Sequence, residues 1–218
     1  MNWITDHKIP LGEWMEAFVD WLVGNASGFF DAIAISLEWL ILGMTGVLQF
    51  FPPLAFTAMV AAIAWWLHRS WGLVIFSVVA LLVIANLGYW VEMIETLVLV
   101  LMATFLSIVI GIPIGIVAAH HPRFHAGIRP IMDLMQTIPT FVYLIPTLIL
   151  FGLGVVPGLI STIIFAIAAP IRLTALGISS VPEELLEAGK AFGASKRNLL
   201  LKVELPAAMP SIMAGVTG

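Results

Sequence analysis

The chain has 218 residues, 61% of them hydrophobic and only 10% charged, with a net charge of −4 and no cysteine. A soluble domain of this size cannot hide so much apolar surface in one core, so the composition places the chain in a bilayer with membrane lipid as its solvent. The weak, uneven charge excludes nucleic acid as a partner, and the missing cysteines exclude disulfides, a thiol nucleophile and a cysteine metal site.

Residues 1–46 read as a preface outside the membrane. Within it, GEWMEAFVDWLV puts Trp14, Phe18, Trp21 and Leu22 on one helical face and Glu13, Glu16 and Asp20 on the other. That pattern suits an amphipathic helix lying on the outer membrane surface, and equally one packed against the bundle. A bilayer crossing needs about twenty apolar residues, and such runs place spans at 47–67, 71–91, 96–119, 134–156 and 157–178. A sixth begins at 207, so 47–218 is expected to be an all-α, polytopic integral membrane helix bundle.

Orientation follows from the basic residues. With HRSW, HHPRFHAGIRP and 180–206 on one side, that side collects Arg69, Arg123, Arg129, Lys190, Lys196, Arg197 and Lys202, with Arg172 snorkelling at the same boundary. Lys8 and the acids Asp6, Glu13, Glu16, Asp20, Asp31, Glu38, Glu92 and Glu95 fall opposite. A multi-pass protein of the bacterial inner membrane with its N-terminus outside is the expected arrangement.

Asn86, inside the second span, is expected to make an interhelical hydrogen bond. His120, His121 and His125 share no helical face across Pro122 and have no carboxylate with them, so they read as a basic loop and not a metal site. Asp133 is expected to sit at a helix start. The fourth span is the least regular. Pro139 and Pro146 each remove a backbone donor, and Gln136, Thr137 and Tyr143 add polar groups. Gln136, Thr137, Pro139, Phe141 and Tyr143 are therefore candidate lining of a solute pathway, with Phe141 or Tyr143 offering a π-face to a quaternary ammonium. The competing reading is that the prolines shape packing and the aromatics fill volume.

The segment EELLEAGKAFGASKRNLLLKVELP, 183–206, holds eight of the 22 charged residues. Ser180 and Glu183 have capping-box spacing, with Pro182 in the first turn. Leu185, Ala188, Gly189 and Phe192 recur at helical spacing. Gly193 suits a helix stop, and a second short helix can run from Ser195 to Pro206. From spacing alone this is either a solvated connecting loop or a helix-turn-helix built to meet a partner.

Its residues resemble the E-A-A-x3-G-x9-I-x-L-P signature of permease subunits of bacterial ATP-binding cassette importers. Glu187, Ala188, Gly193, Leu205 and Pro206 match, while Gly189 replaces the second Ala and Val203 replaces Ile. DLMQTIPTFVYLIPTLILFGLG, APIRLTALGI and LPAAMPSIMAG are similar to the glycine betaine/proline betaine members of that family. The resemblance implies a cytosolic coupling helix formed by the signature residues, an ABC ATPase subunit docked on it, and an external substrate-binding protein. It also implies a permease homodimer and osmoprotective uptake of betaine-like solutes. Permeases of this kind continue through further spans, so a C-terminal truncation is expected.

The chain has no G-x4-G-K-[ST] loop; it is therefore expected to be no enzyme and to hold no cofactor, with ATP and Mg bound by the partner. Two alternatives stand beside this reading. One is an importer permease for histidine, proline, choline or carnitine. The other is an ATPase-independent secondary transporter or channel, disfavoured because no carboxylate sits deep in any span.

Overall fold

A computed structural model describes residues 11–217. Asp6 and Lys8, counted above for orientation, lie outside the described residues.

Helix α1, Leu11–Gln49, is 39 residues long and runs straight through the expected boundary at 46. It ends because Pro52 and Pro53 follow, and a residue before proline is pushed out of helical geometry. Pro53 then takes the first turn of α2 (Pro53–His68), where its missing N–H is harmless. The span expected at 47–67 therefore begins at 53. Trp14, Phe18 and Trp21 are exposed, with Phe18 and Trp21 stacked at 6.4 Å. Farther along, Phe30 meets Phe151 edge-on at 5.3 Å, and Ile41 is buried in the core. Among the described residues, the core contacts of α1 come from its second half.

Arg69, in the left-handed region at φ 48°, turns α2 into α3 (Trp71–Asn86). Each of these helices has 16 residues, about 24 Å at 1.5 Å per residue, somewhat short of a 30 Å hydrocarbon layer. Helix α4, Trp90–His120, has 31 residues and contains the expected 96–119. Its first half buries Ile94, Val98 and Met102 against α1, α2 and the start of α7, where Phe56 lies edge-on to Trp90.

The stretch 134–156 is not one crossing. Helix α5 (Pro122–Thr137) and helix α6 (Thr140–Phe151) meet at a 99° bend. Pro139 can neither donate a backbone bond nor let Ile138 stay helical, so the chain breaks where hydropathy runs on unchanged. Residues 155–179 follow as α7 (Val155–Ala166) and α8 (Ala168–Ser179), interrupted at Ile167, three residues before Pro170. Thr147 and Ser161 join α6 to α7 through hydroxyls 2.9 Å apart.

The second half of α4 packs in parallel against α8, and the final helix α11, Leu205–Thr217, returns antiparallel. Glycines set these crossings. A Cβ on Gly115 would lie 2.6 Å from Thr174 Cβ and 2.7 Å from the Ile171 carbonyl; one on Gly177 would lie 2.9 Å from Ser211 Cβ. Small residues let helix axes approach where lipid supplies no hydrophobic drive between helices.

Candidate functional site

The charged segment folds as a helix, a sharp turn and a second helical run, placed where α4 and α8 end. Helix α9, Glu183–Ala191, carries Glu183 and Glu184 in its first turn and Lys190 in its last, the arrangement the helix dipole favours. The expected capping box does not form. Pro182 holds the cap position, and the Ser180 hydroxyl donates back to the Leu176 carbonyl at 2.7 Å. Ser180 is still finishing α8, which extends one residue too far to let it cap α9.

At the other end, Gly193 N–H donates to the Lys190 carbonyl at 2.9 Å and Ala194 N–H to the Gly189 carbonyl at 3.1 Å. These are the paired bonds of a Schellman stop, and Gly193 supplies the φ of +75° it requires. The Ser195 hydroxyl accepts from Asn198 N–H at 3.3 Å and caps α10, Lys196–Leu199.

The second helix does not end at Pro206. A π-turn, Leu200–Glu204, carries the chain directly into α11. The wider turn takes up the proline, which would otherwise press on the carbonyl four residues back.

The signature residues divide into two sets. Glu187, Ala188, Gly193 and Pro206 are exposed. Gly189 faces inward, where a Cβ would lie 2.7 Å from Leu199 Cδ1 and 3.5 Å from Val203 Cγ2. The two departures from the signature therefore sit on one internal contact: both side chains are smaller, and Leu199 fills the space. Leu185, Ala188 and Phe192 form the outward stripe, with Phe192 93% exposed. Leu205 instead packs inward with Ile112 and Ile116 of α4.

Glu204 was not singled out in the sequence. It is 7% exposed, and its Oε2 lies 3.0 Å from His120 Nε2, close but off the line of a hydrogen bond. His120 Nδ1 donates to the Ile116 carbonyl at 2.8 Å. The pair ties the end of α4 to the π-turn across 84 positions of sequence, a link no local pattern announces. His121 turns to the Val117 carbonyl, and His125 lines a cleft with Arg129. Asp133 is far from its helix start and pairs with Arg172 at 2.6 Å, an ion pair with both side chains partly exposed.

A second feature lies halfway along α4. A cavity of about 270 Å³ opens between α4, the end of α5, the α7–α8 break and α11, lined by Thr104, Ser107, Gln136, Phe165, Ala169 and Pro170 among others. Of the five expected pathway residues, only Gln136 lines it. Thr137 and Tyr143 both donate their hydroxyls to the Leu134 carbonyl at 3.2 Å, bracing the bend at Pro139, while Phe141 is 78% exposed. Thr104 and Ser107 on α4 and Phe165 on α7 escaped notice because no shared motif links the two spans.

Residues 111–217 match the family model described as binding-protein-dependent transport system inner membrane component. The glycine betaine permease OpuAB of Bacillus subtilis is 44% identical over 209 residues, 96% of this chain and 74% of OpuAB. The glycine betaine/proline betaine permease ProW of Escherichia coli is 44% identical over 212 residues, 96% of this chain and 60% of ProW. The glycine betaine/carnitine permease GbuB of Listeria monocytogenes is 40% identical over 211 residues, 95% of this chain and 74% of GbuB. The chain belongs to the glycine betaine/proline betaine family of binding-protein-dependent transport permeases. It is accordingly a multi-pass inner-membrane transport subunit.

Proposed function

We propose that this permease is the membrane subunit of an ATP-driven importer of quaternary-amine compatible solutes, glycine betaine and proline betaine, serving osmoprotection. The segment 183–206 docks a cytosolic ABC ATPase, an external binding protein delivers solute to the opposite face, and two copies of the permease form the transport unit. ATP and Mg belong to the ATPase. The N-terminus lies outside.

The observation that carries the docking role is the outward stripe of Leu185, Ala188 and Phe192, bordered by Glu184, Glu187 and Lys190 and held out by the glycine stop. A phenylalanine 93% exposed beside charged residues marks a surface that meets a soluble partner. Movement of that partner reaches the spans through two links, the packing of Gly189 against Leu199 and Val203 and the His120–Glu204 pair.

The test uses the full complex in proteoliposomes. Phe192→Asp is expected to leave permease in the membrane but lose the ATPase on co-purification and abolish betaine uptake. Normal ATPase retention and uptake in that variant would sink the docking assignment. Uptake driven by an ion gradient without ATP would instead make the chain a secondary transporter. Competition with carnitine and choline separates the betaine reading from its neighbours.

A further inference from the structure

We propose that the mid-span cavity is the membrane-embedded solute site, built for a small net-neutral zwitterion: Ser107, Thr104 and Gln136 receive its carboxylate, and Phe165 faces its methylated ammonium head. This rests on the importer reading above and assigns that function a place in the fold.

Several observations converge. The cavity lies halfway along two spans, since Thr104 and Ser107 are central in Trp90–His120 and Phe165 to Pro170 are central in Val155–Ser179. Both helix breaks meet there: Gln136 stands in the last turn before the bend at Pro139, and Ala166 and Pro170 flank the interruption at Ile167. Pro170 has no N–H to give the Ala166 carbonyl, which borders the same space. Broken helices at mid-depth are where transporters free backbone and side-chain groups for a solute.

The Ser107 side chain is the decisive one. It is 2% exposed, it lines the cavity, and its Oγ has no hydrogen-bond partner. A buried hydroxyl without a partner is costly. A helical serine ordinarily bonds its own i−4 carbonyl, as Ser36, Ser77 and Ser161 do here. Ser107 is instead left with an O–H to donate.

The lining sets the solute class. Among the described residues it contains no ionisable side chain, and an isolated ion in such a place would be strongly disfavoured. A zwitterion whose two charges lie a few bonds apart needs no counter-ion from the wall. Its carboxylate takes the hydroxyl and amide donors, and its soft, methyl-covered cation suits Phe165 with the Ala169 and Pro170 surfaces. The volume of about 270 Å³ exceeds the roughly 150 Å³ that encloses benzene, so a small solute slightly larger than benzene fits.

The chain has no cysteine, which makes the test direct. Ser107→Cys in the full transport complex, reconstituted with its ATPase and binding protein, is treated with 2-(trimethylammonium)ethyl methanethiosulfonate. The reagent carries the head group that the site is argued to accept. Modification of the permease is expected, and glycine betaine at about ten times its half-saturating concentration should slow it about tenfold. Ser161→Cys, buried against Thr147 outside the cavity, should show no protection. Gln136→Cys gives a second labelling position if Ser107→Cys does not assemble. Ser107→Ala should lower uptake per ATP hydrolysed with binding-protein affinity unchanged, and Ser107→Thr should restore it. Labelling unaffected by glycine betaine, or no labelling at either position, overturns the site while leaving the importer reading intact if the wild type imports betaine. A wild-type complex that imports no betaine overturns both.

Discussion

The α2–α3 hairpin and the α4–α8–α11 trio are both apolar, yet they fold in opposite ways. Helix α3 has no buried residue and α2 buries only Phe56 and Thr57, whereas α8 alone buries seven of its 12 residues. Hydrophobicity does not explain the contrast, since α8, the most buried, is less apolar than either hairpin helix. Side-chain size at the crossings does. The trio places Gly111, Gly115, Gly177 and Gly215 where a neighbouring helix leaves no room for a Cβ, while Gly72 at the start of α3 has only the Ser70 hydroxyl at 3.8 Å. In a bilayer an apolar surface has no reason to leave lipid, so close fit decides which helices associate.

That contrast can be broken most forcefully at Gly115. Gly115→Leu strikes both Thr174 and the Ile171 backbone carbonyl, and a backbone cannot step aside. Overpacking typically costs about 1–3 kcal/mol and more when backbone must shift, so a collapse of folded yield and of the thermal midpoint in detergent is expected. Gly72→Leu, the same exchange in the hairpin, should leave both unchanged. Equal effects would refute the size argument.

Gly193→Val comes next. It forces a β-branched residue to φ +75°, a strain of about 1–3 kcal/mol confined to the charged segment. Thermal stability of the trio should hold while ATPase co-purification and uptake are lost.

His120→Ala removes the imidazole beside the buried Glu204 carboxylate. The expected cost is about 1 kcal/mol, since His120 itself is partly exposed. It should appear as looser coupling, with more ATP hydrolysed per solute imported. Adding Glu204→Gln should recover part of that loss.

The smallest effect belongs to Gly189→Ala. The new Cβ meets Leu199 Cδ1 at 2.7 Å, the far end of a side chain that can turn away. Better helix propensity offsets the crowding by about 1 kcal/mol, so near-neutral stability is expected in a thermal scan. A large loss would mean that Leu199 is wedged and that the segment is stiffer than its exposure suggests.

Much of this was legible in the residues. The apolar run 96–119 lies within α4, Gly193 stops a helix as its position suggested, and the outward Leu185 and Phe192 follow helical spacing. What escaped did so for physical reasons. Hydropathy averages over prolines, so 134–156 reads as one irregular span, although the chain bends by 99° at Pro139. Ser180 satisfies a capping pattern, but α8 is still using its hydroxyl. Sequence spacing also gave no sign that the Tyr143 and Thr137 hydroxyls would both donate to the Leu134 carbonyl and brace the bend.

By itself the sequence determined the solvent, the helical class, the glycine stop and the charged character of 183–206. These depend on composition, on local backbone preference and on spacing within one or two turns. Only the tertiary structure decided that Gly189 faces Val203 rather than outward, that Glu204 meets His120, and that Ser107, Gln136 and Phe165 border one cavity. Those groups come together through helix crossings and breaks, and the close approach of distant helices is a property of shape that no single segment carries.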